Sequence, residues 1–459
     1  MKVILVRPGL GVLGRRKYNS RACLEPLALA ILAALTPAKI EVAAYDDRFE
    51  EIPYSEEASL VALSVGTFQA RRAYEIADEF RRRGTKVIMG GFHVSFCPDE
   101  ASKHADSIAI GEAEALWPQI MEDLQRGSLK ERYIARESPS LAGVIPDRSI
   151  FWNKSYMPLA VVQFGRGCQH NCDFCCIKAF YRSNCRHRPI EDVKRELEIC
   201  KSKWVFFTDD NLLCNRERAK EFLQEIRGLG LHWTSQVSID FVDDEEILSL
   251  MVEAGCQAVV IGFESLDERS LRLMGKGWSK AEKYREKLAK IRSHGIMVYG
   301  TFVFGYGDDD ESSIKETLDF AREEKLFLVN FNHLQPYPGT RLYERLKREG
   351  RLLYDTWWLN PSYRFGDACF HPEGMTAEEL TSGALKARTS FYSYPSIFRR
   401  LFDFSANFGS FYNLTTFLIC NLISRQDILR KQGLVLGEAR RSEEQEEPLK
   451  NDLIKESCQ

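Results

Sequence analysis

The chain has 459 residues, 44% of them hydrophobic and 28% charged, which suits a globular protein with two or three cores. Its formal net charge of −3 gives no reason to expect a nucleic-acid partner, whose usual footprint is a strongly basic face. The apolar run opening MKVILVRPGL is too short for a signal peptide and reads as a first buried strand. No stretch approaches the ~20 apolar residues of a membrane span.

Residues 1–135 alternate β-branched runs with helical patterns. Strands are predicted at Val3–Val6, Ile40–Tyr45, Leu60–Val65, Lys86–Met89 and Ser107–Ile110, and helices at Leu24–Leu35, Arg71–Arg83 and Ala115–Leu124. That alternation indicates a parallel sheet covered on both faces, a doubly wound Rossmann-like α/β domain. Residues 136–155 read as a linker, with a short hairpin at Leu141–Trp152.

A second series follows in residues 156–345. Strands are predicted at Leu159–Phe164, Trp204–Thr208, Trp233–Ile239, Ala258–Phe263, Met297–Phe304 and Leu328–Leu334, separated by helical patterns. This is a partial (β/α)6 barrel of the TIM type, whose functional groups belong on the loops after the strands. Residues 346–436 read as mainly helical, and 437–459 carry too little apolar character to form a core.

Most of the 13 cysteines, namely Cys23, Cys97, Cys200, Cys214, Cys256, Cys369, Cys420 and Cys458, have no ligand-like neighbours and read as small buried hydrophobes. The run Gly165-Arg166-Gly167-Cys168-Gln169-His170-Asn171-Cys172-Asp173-Phe174-Cys175 differs. It follows the first strand of the second series with CxxxCxxC spacing. Three thiolates on one loop can hold three irons of a cubane and leave the fourth open. The competing reading is a structural zinc site with Cys176, Cys185, His170 or His187 as fourth ligand; no second CxxC half-site is visible.

The loop and its six-unit setting resemble the radical-SAM superfamily over residues 155–345. The resemblance implies a 4Fe–4S cluster on Cys168, Cys172 and Cys175, S-adenosylmethionine as co-substrate, and release of a 5′-deoxyadenosyl radical. It gives Cys176 only a packing role. It also places S-adenosylmethionine contacts at strand ends: Asp209 and Asp210 in the Asp209-Asp210-Asn211 segment, Glu264 and Ser265, Phe304 to Gly307, and Gln335 to Thr340.

Met89-Gly90-Gly91-Phe92-His93 and Gly111-Glu112-Ala113-Glu114 end the fourth and fifth strands of the first series. Glycines there let backbone approach a large ligand. These segments and LEPLALAILAALTP resemble the module of cobalamin-binding radical-SAM proteins, which implies cobalamin contacts from Gly90, Gly91, His93, Gly111 and Glu112. No DxHxxG motif is present to ligate cobalt from below, so His93 is expected at the nucleotide tail or in a structural role. A Rossmann-like fold without cofactor is the alternative.

The resemblance implies a cytoplasmic enzyme that C-methylates an unactivated carbon, served by a reducing partner such as flavodoxin or ferredoxin. Radical oxidation, cyclisation or rearrangement in the same architecture, and a non-catalytic iron–sulfur redox protein, are the alternatives. No residue is assigned as a catalytic acid or base. Residues 391–423 interleave ten Phe and Tyr with Arg399 and Arg400. They either pack against the barrel or receive an apolar small molecule such as a lipid, polyprenoid or tetrapyrrole, and they also suit the periphery of a membrane.

Overall fold

The computed structural model describes residues 1–437 other than 14, 15, 19, 21 and 183. The tail expected at 437–459 lies outside the described residues from 438 onward. In the first half, β1 (Lys2–Arg7), β2 (Glu41–Asp46), β3 (Leu60–Ser64), β4 (Val87–Gly90), β5 (Ser107–Ile110) and β6 (Arg132–Ile134) form a parallel sheet in the order β2-β1-β3-β4-β5-β6. Val3, Leu5, Leu60 and Ala62 pack beneath α1 (Leu27–Leu35) and α3 (Ala113–Gln125). Ile4, Val6, Val61 and Leu63 pack with α2 (Ala70–Arg82) on the other face. Burial on both faces explains why these strands read as unbroken apolar runs. Strand order reverses between β1 and β3, and that switch point opens a crevice at the carboxyl ends of the strands.

β6 falls where the sequence suggests unstructured chain after the fifth strand. Its three residues bury only Tyr133, too short a pattern to read. The hairpin expected at Leu141–Trp152 is instead loop and a 3₁₀ turn, Arg148–Phe151, capped by the Asp147 carboxylate.

The second sheet runs in strictly sequential order: β7 (Ala160–Val162), β8 (Trp204–Phe207), β9 (His232–Val237), β10 (Cys256–Glu264), β11 (Met297–Phe304) and β12 (Leu328–His333), all parallel. Its helices, including α4 (Ile190–Cys200), α5 (Arg216–Ile226), α6 (Glu245–Glu253), α7 (Tyr284–Ser293) and α8 (Glu311–Glu323), cover the outside.

Six strands leave β12 at an edge, whose unpaired backbone groups need a cover. The C-terminal helices α9 (Ala377–Phe391), α10 (Tyr394–Leu401) and α11 (Phe411–Lys431) supply it. The Tyr392 hydroxyl accepts from Val329 N–H and donates to Val329 C=O, both at 3.0 Å. Buried Arg400 donates to the carbonyls of Leu326 and Phe327, and its guanidinium lies 3.7 Å over the Phe391 ring. Of the aromatics in 391–423, Phe391, Tyr392 and Phe417 are buried, whereas Tyr394, Phe398, Phe402, Phe404, Phe408, Phe411 and Tyr412 are exposed. Among the described residues no helix is long and apolar enough to cross a membrane.

Residues 346–436 are not one helical unit. Trp357, Trp358 and Tyr363, on irregular chain, join the core of the first domain, and Trp358 Nε1 donates to Glu100 at 3.0 Å. Val435–Leu436 pairs antiparallel with Gly11–Leu13. The region straddles both sheets, an arrangement that helical periodicity cannot reveal.

Candidate active site between the two sheets

The cysteine loop leaves the first barrel strand at Gly167. There φ is +90°, and a Cβ would lie 2.0 Å from the Asn184 carbonyl. Only glycine fits. Asp210 accepts from Gly167 N–H at 2.8 Å. Asp173 is held by the Tyr306 hydroxyl and by Arg345 at 2.9 Å, which tie the loop to the far side of the barrel mouth. Gly275, with φ +77°, lets a second loop lie against Asn171.

Cys168, Cys172 and Cys175 are all half-buried, and their thiols act on one another electrostatically. Burial pushes Cys172 up to about 12 and raises the other two. Neutral thiols are favoured until a cation draws off the protons, as iron does. Among the described residues no three His, Cys, Asp or Glu are gathered as one metal ion requires. A zinc site needs that convergence, whereas each cysteine on a cubane holds a different iron. Two of the other candidate zinc ligands are otherwise engaged: His170 stacks on Trp278 at 3.8 Å and Cys185 pairs with Cys214, their Cα atoms 6.3 Å apart. Cys214 is therefore not an isolated hydrophobe. Spacing could not show this, because 29 residues separate the two.

The strand-end residues separate into two groups. Asp209, pushed up to about 7 by burial, accepts from the N–H groups of Phe164 and Gly165, so it braces the end of β7 and does not face a ligand. Asn211, quoted in the Asp-Asp-Asn segment but given no role of its own, is nearer the chemistry. Its Nδ2 contacts Cys168 Sγ at 3.9 Å and donates to Ser238 Oγ at 2.6 Å, and its Oδ1 is buried without a partner. Glu264 has φ +65° and accepts from Lys276 Nζ at 2.8 Å. Ser265 is turned into its own loop, accepting from Asp267 N–H. Lys276 escaped the sequence reading. It is buried beside Cys172; burial lowers its proton affinity, but Glu264 and Cys172 outweigh that and leave it raised. No motif marks it; only the fold brings it there.

The crevice of the first sheet faces the residues that flank this loop. A cavity of about 480 Å³ is lined by Gly90, Gly91, Gly111 and Glu112 on one side, and by Asp210, Phe180 and Tyr181 on the other. Gly91 and Gly111 have φ +106° and +101°, so the backbone itself demands glycine there. Gly90 is different: an added Cβ would meet only Ala109 at 3.5 Å. The buried Nε of Arg7, another lining residue, has no partner, a donor that suits the amides and phosphate of cobalamin. Of the two roles expected for His93, it takes the structural one and makes no wall of the cavity. Its ring is fully buried away from the cavity, bonded to Tyr74 and Glu100 at 3.1 and 3.0 Å, because the short helix Phe92–Phe96 turns it into the domain core. No histidine among the described residues lines the cavity.

The domains are joined by charge. Arg166, two residues before Cys168, donates to Glu112 at 2.9 Å and to Glu114, and Arg186 donates to Glu112 at 2.6 Å. Burial opposes these charges, but Arg166 holds Glu114 below the usual carboxylate range.

The chain matches the model of the radical SAM superfamily over residues 162–321, that of the B12 binding domain over 18–120, and a domain of unknown function over 340–434. Bacteriochlorophyllide d C-8(2)-methyltransferase of Chlorobaculum tepidum is 32% identical over 72% of this chain and 78% of that protein. This chain belongs to the cobalamin-dependent radical SAM enzymes. Bacteriochlorophyllide d C-12(1)-methyltransferase of the same organism is 31% identical, over 83% of this chain and 86% of its own length. The cobalamin-dependent radical SAM enzyme OxsB, solved with aqua-cobalamin and S-adenosylmethionine, shares the fold at 14% identity, with a TM-score of 0.65 over 93% of this chain and 71% of that one. As a cobalamin-dependent radical SAM enzyme the protein uses a 4Fe–4S cluster, S-adenosylmethionine and cobalamin. Both sites described above suit these groups: a loop of three mutually interacting thiols, and a crevice with an unpartnered donor.

Proposed function

We propose that the protein transfers a methyl group to an unactivated carbon of an apolar, ring-bearing small molecule of the tetrapyrrole or lipid type. The observation that carries this reading is the shared cavity, walled by the cobalamin-type crevice on one side and by Arg166, Ile177, Phe180 and Tyr181, which flank the cysteine loop, on the other, and held in register by Arg166, Glu112 and Glu114. The relatives named as methyltransferases support it.

When bound, the cluster and cobalamin supply one-electron cleavage of S-adenosylmethionine and methyl transfer. The protein's own residues hold and orient. Cys168, Cys172 and Cys175 ligate three irons. Asn211, with its free acceptor beside Cys168, and Glu264 with Lys276 position the polar ends of S-adenosylmethionine. Gly90, with no side chain on the cavity wall, would admit the corrin to the strand ends. Asp173, Tyr306 and Arg345 keep the loop from shifting, which matters where small misplacement slows a reaction steeply. A reducing partner, flavodoxin or ferredoxin in type, delivers the electron in a reducing cytoplasm.

The test is an anaerobic assay of reconstituted protein with reductant, S-adenosylmethionine carrying a trideuterated methyl group, and bacteriochlorophyllide d as the first probe. Methylation requires that 5′-deoxyadenosine and S-adenosylhomocysteine both form and that product carries the label. Formation of 5′-deoxyadenosine with an unlabelled, oxidised or cyclised product would refute methyl transfer. Absence of 5′-deoxyadenosine under every reductant would refute the enzyme reading.

A further inference from the structure

A second cavity, of about 240 Å³, opens at the barrel mouth where three parts of the chain meet. Phe174, between the second and third loop cysteines, forms part of its wall. Phe68 reaches in from the first domain, and Tyr337 and Phe365 complete an aromatic surround. His333 at the end of β12 and Arg388 on α9 are its basic side chains.

Arg388 is half-buried on this wall, and among the described residues no acidic side chain answers its charge. Its Nε donates to the Ala384 carbonyl at 3.2 Å, one turn back on its own helix. Burial lowers its pKa, with no acid opposing. Its electrostatic neighbours make matters worse. Lys431 is a second cation, itself lowered by burial and by Arg388. His333 is pushed down to about 4 by burial and by Arg388, so it stays neutral. The fork geometry of a guanidinium matches a carboxylate.

We propose that Arg388 anchors an anionic group, a carboxylate in first instance, of the small molecule that occupies this cavity. The ligand is then an apolar or aromatic body with one acidic end, the acid held at α9 and the body lying along Phe68 and Phe365 toward Phe174. This rests on the proposed methyl transfer to an apolar small molecule, and it narrows that substrate class to apolar acids.

The experiment is equilibrium dialysis of the reconstituted holoenzyme with a charged and neutral pair of one shape, 1-naphthaleneacetate and 1-naphthaleneacetamide. Wild type should bind the acid at least about tenfold more tightly than the amide, the size of one charge-assisted contact. Arg388→Gln should bring the acid down to the amide's affinity, and Arg388→Lys should keep part of the preference. Asn332→Asp, which puts a negative charge on the same wall, should abolish the preference independently should the Arg388 variants fail to fold. Equal affinity for the pair in wild type, no binding of either, or a preference that survives Arg388→Gln would each overturn the proposal. Binding is read without turnover, so an enzyme that prefers the acid but transfers no methyl group overturns only the methylation reading.

Discussion

The two sheets are built from the same βα unit yet make ligand space in different ways. In the first, strand order reverses between β1 and β3, so topology opens a crevice, with Gly90, Gly91 and Gly111 at its strand ends. In the second, strands follow one another without reversal, and the reactive loop hangs on side-chain chemistry: three thiols, Asp210 against Gly167, and Lys276 against Glu264. Backbone shape governs one half of the site and side-chain identity the other. Substitutions should therefore act steeply on the barrel side and gradually on the crevice side.

The steepest test is at the cysteines. Cys168→Ala, Cys172→Ala or Cys175→Ala should each abolish 5′-deoxyadenosine formation, because each of three irons needs its thiolate, whereas Cys176→Ala should keep about four irons per chain. Iron and sulfide analysis with product chromatography checks this, and full activity in any of the three would break the contrast. Next comes the joint between the halves. Glu112→Gln leaves Arg166 and Arg186 short of a buried partner and should cost about 3–5 kcal/mol, read by denaturant unfolding; a change within error would mean that the network is solvated.

On the crevice side, Gly90→Val places methyl groups in the cavity without backbone strain and should weaken cobalamin binding by about tenfold. Spectrophotometric titration measures it, with iron content as the control for fold. Gly91→Val and Gly111→Val should instead lower stability, since their φ values suit only glycine. The smallest effect expected is at the barrel edge. Tyr392→Phe strips the partner from Val329 N–H and should cost about 1 kcal/mol, with hydrogen exchange at Val329 rising accordingly.

Much of this was legible in the sequence, for local reasons. The strand series and the cysteine spacing are periodic or contiguous, and both halves of the fold follow from them. The loops of glycine after β4 and β5 were visible too, although the reason for glycine at 91 and 111 is conformational rather than ligand approach. What stayed hidden depends on distant chain. Lys276 reaches Cys172 only through the Gly275–Asn171 contact. His93 looked like a ligand because of its strand-end position, but the turn of one short helix buries it. Arg388 carries no motif, and its want of an acidic partner is a fact of packing alone.

The straddling C-terminal region bears on how the protein is made. Trp358 bonds Glu100 across 258 residues, and Val435–Leu436 supplies a strand beside Gly11–Leu13. The first domain leaves the ribosome early but lacks part of its core until the last described residues have been synthesised. An N-terminal domain that finishes before the next begins is the vectorial case; here the first domain's core is whole only once residues 357–436 have been made, so its crevice is finished late in synthesis.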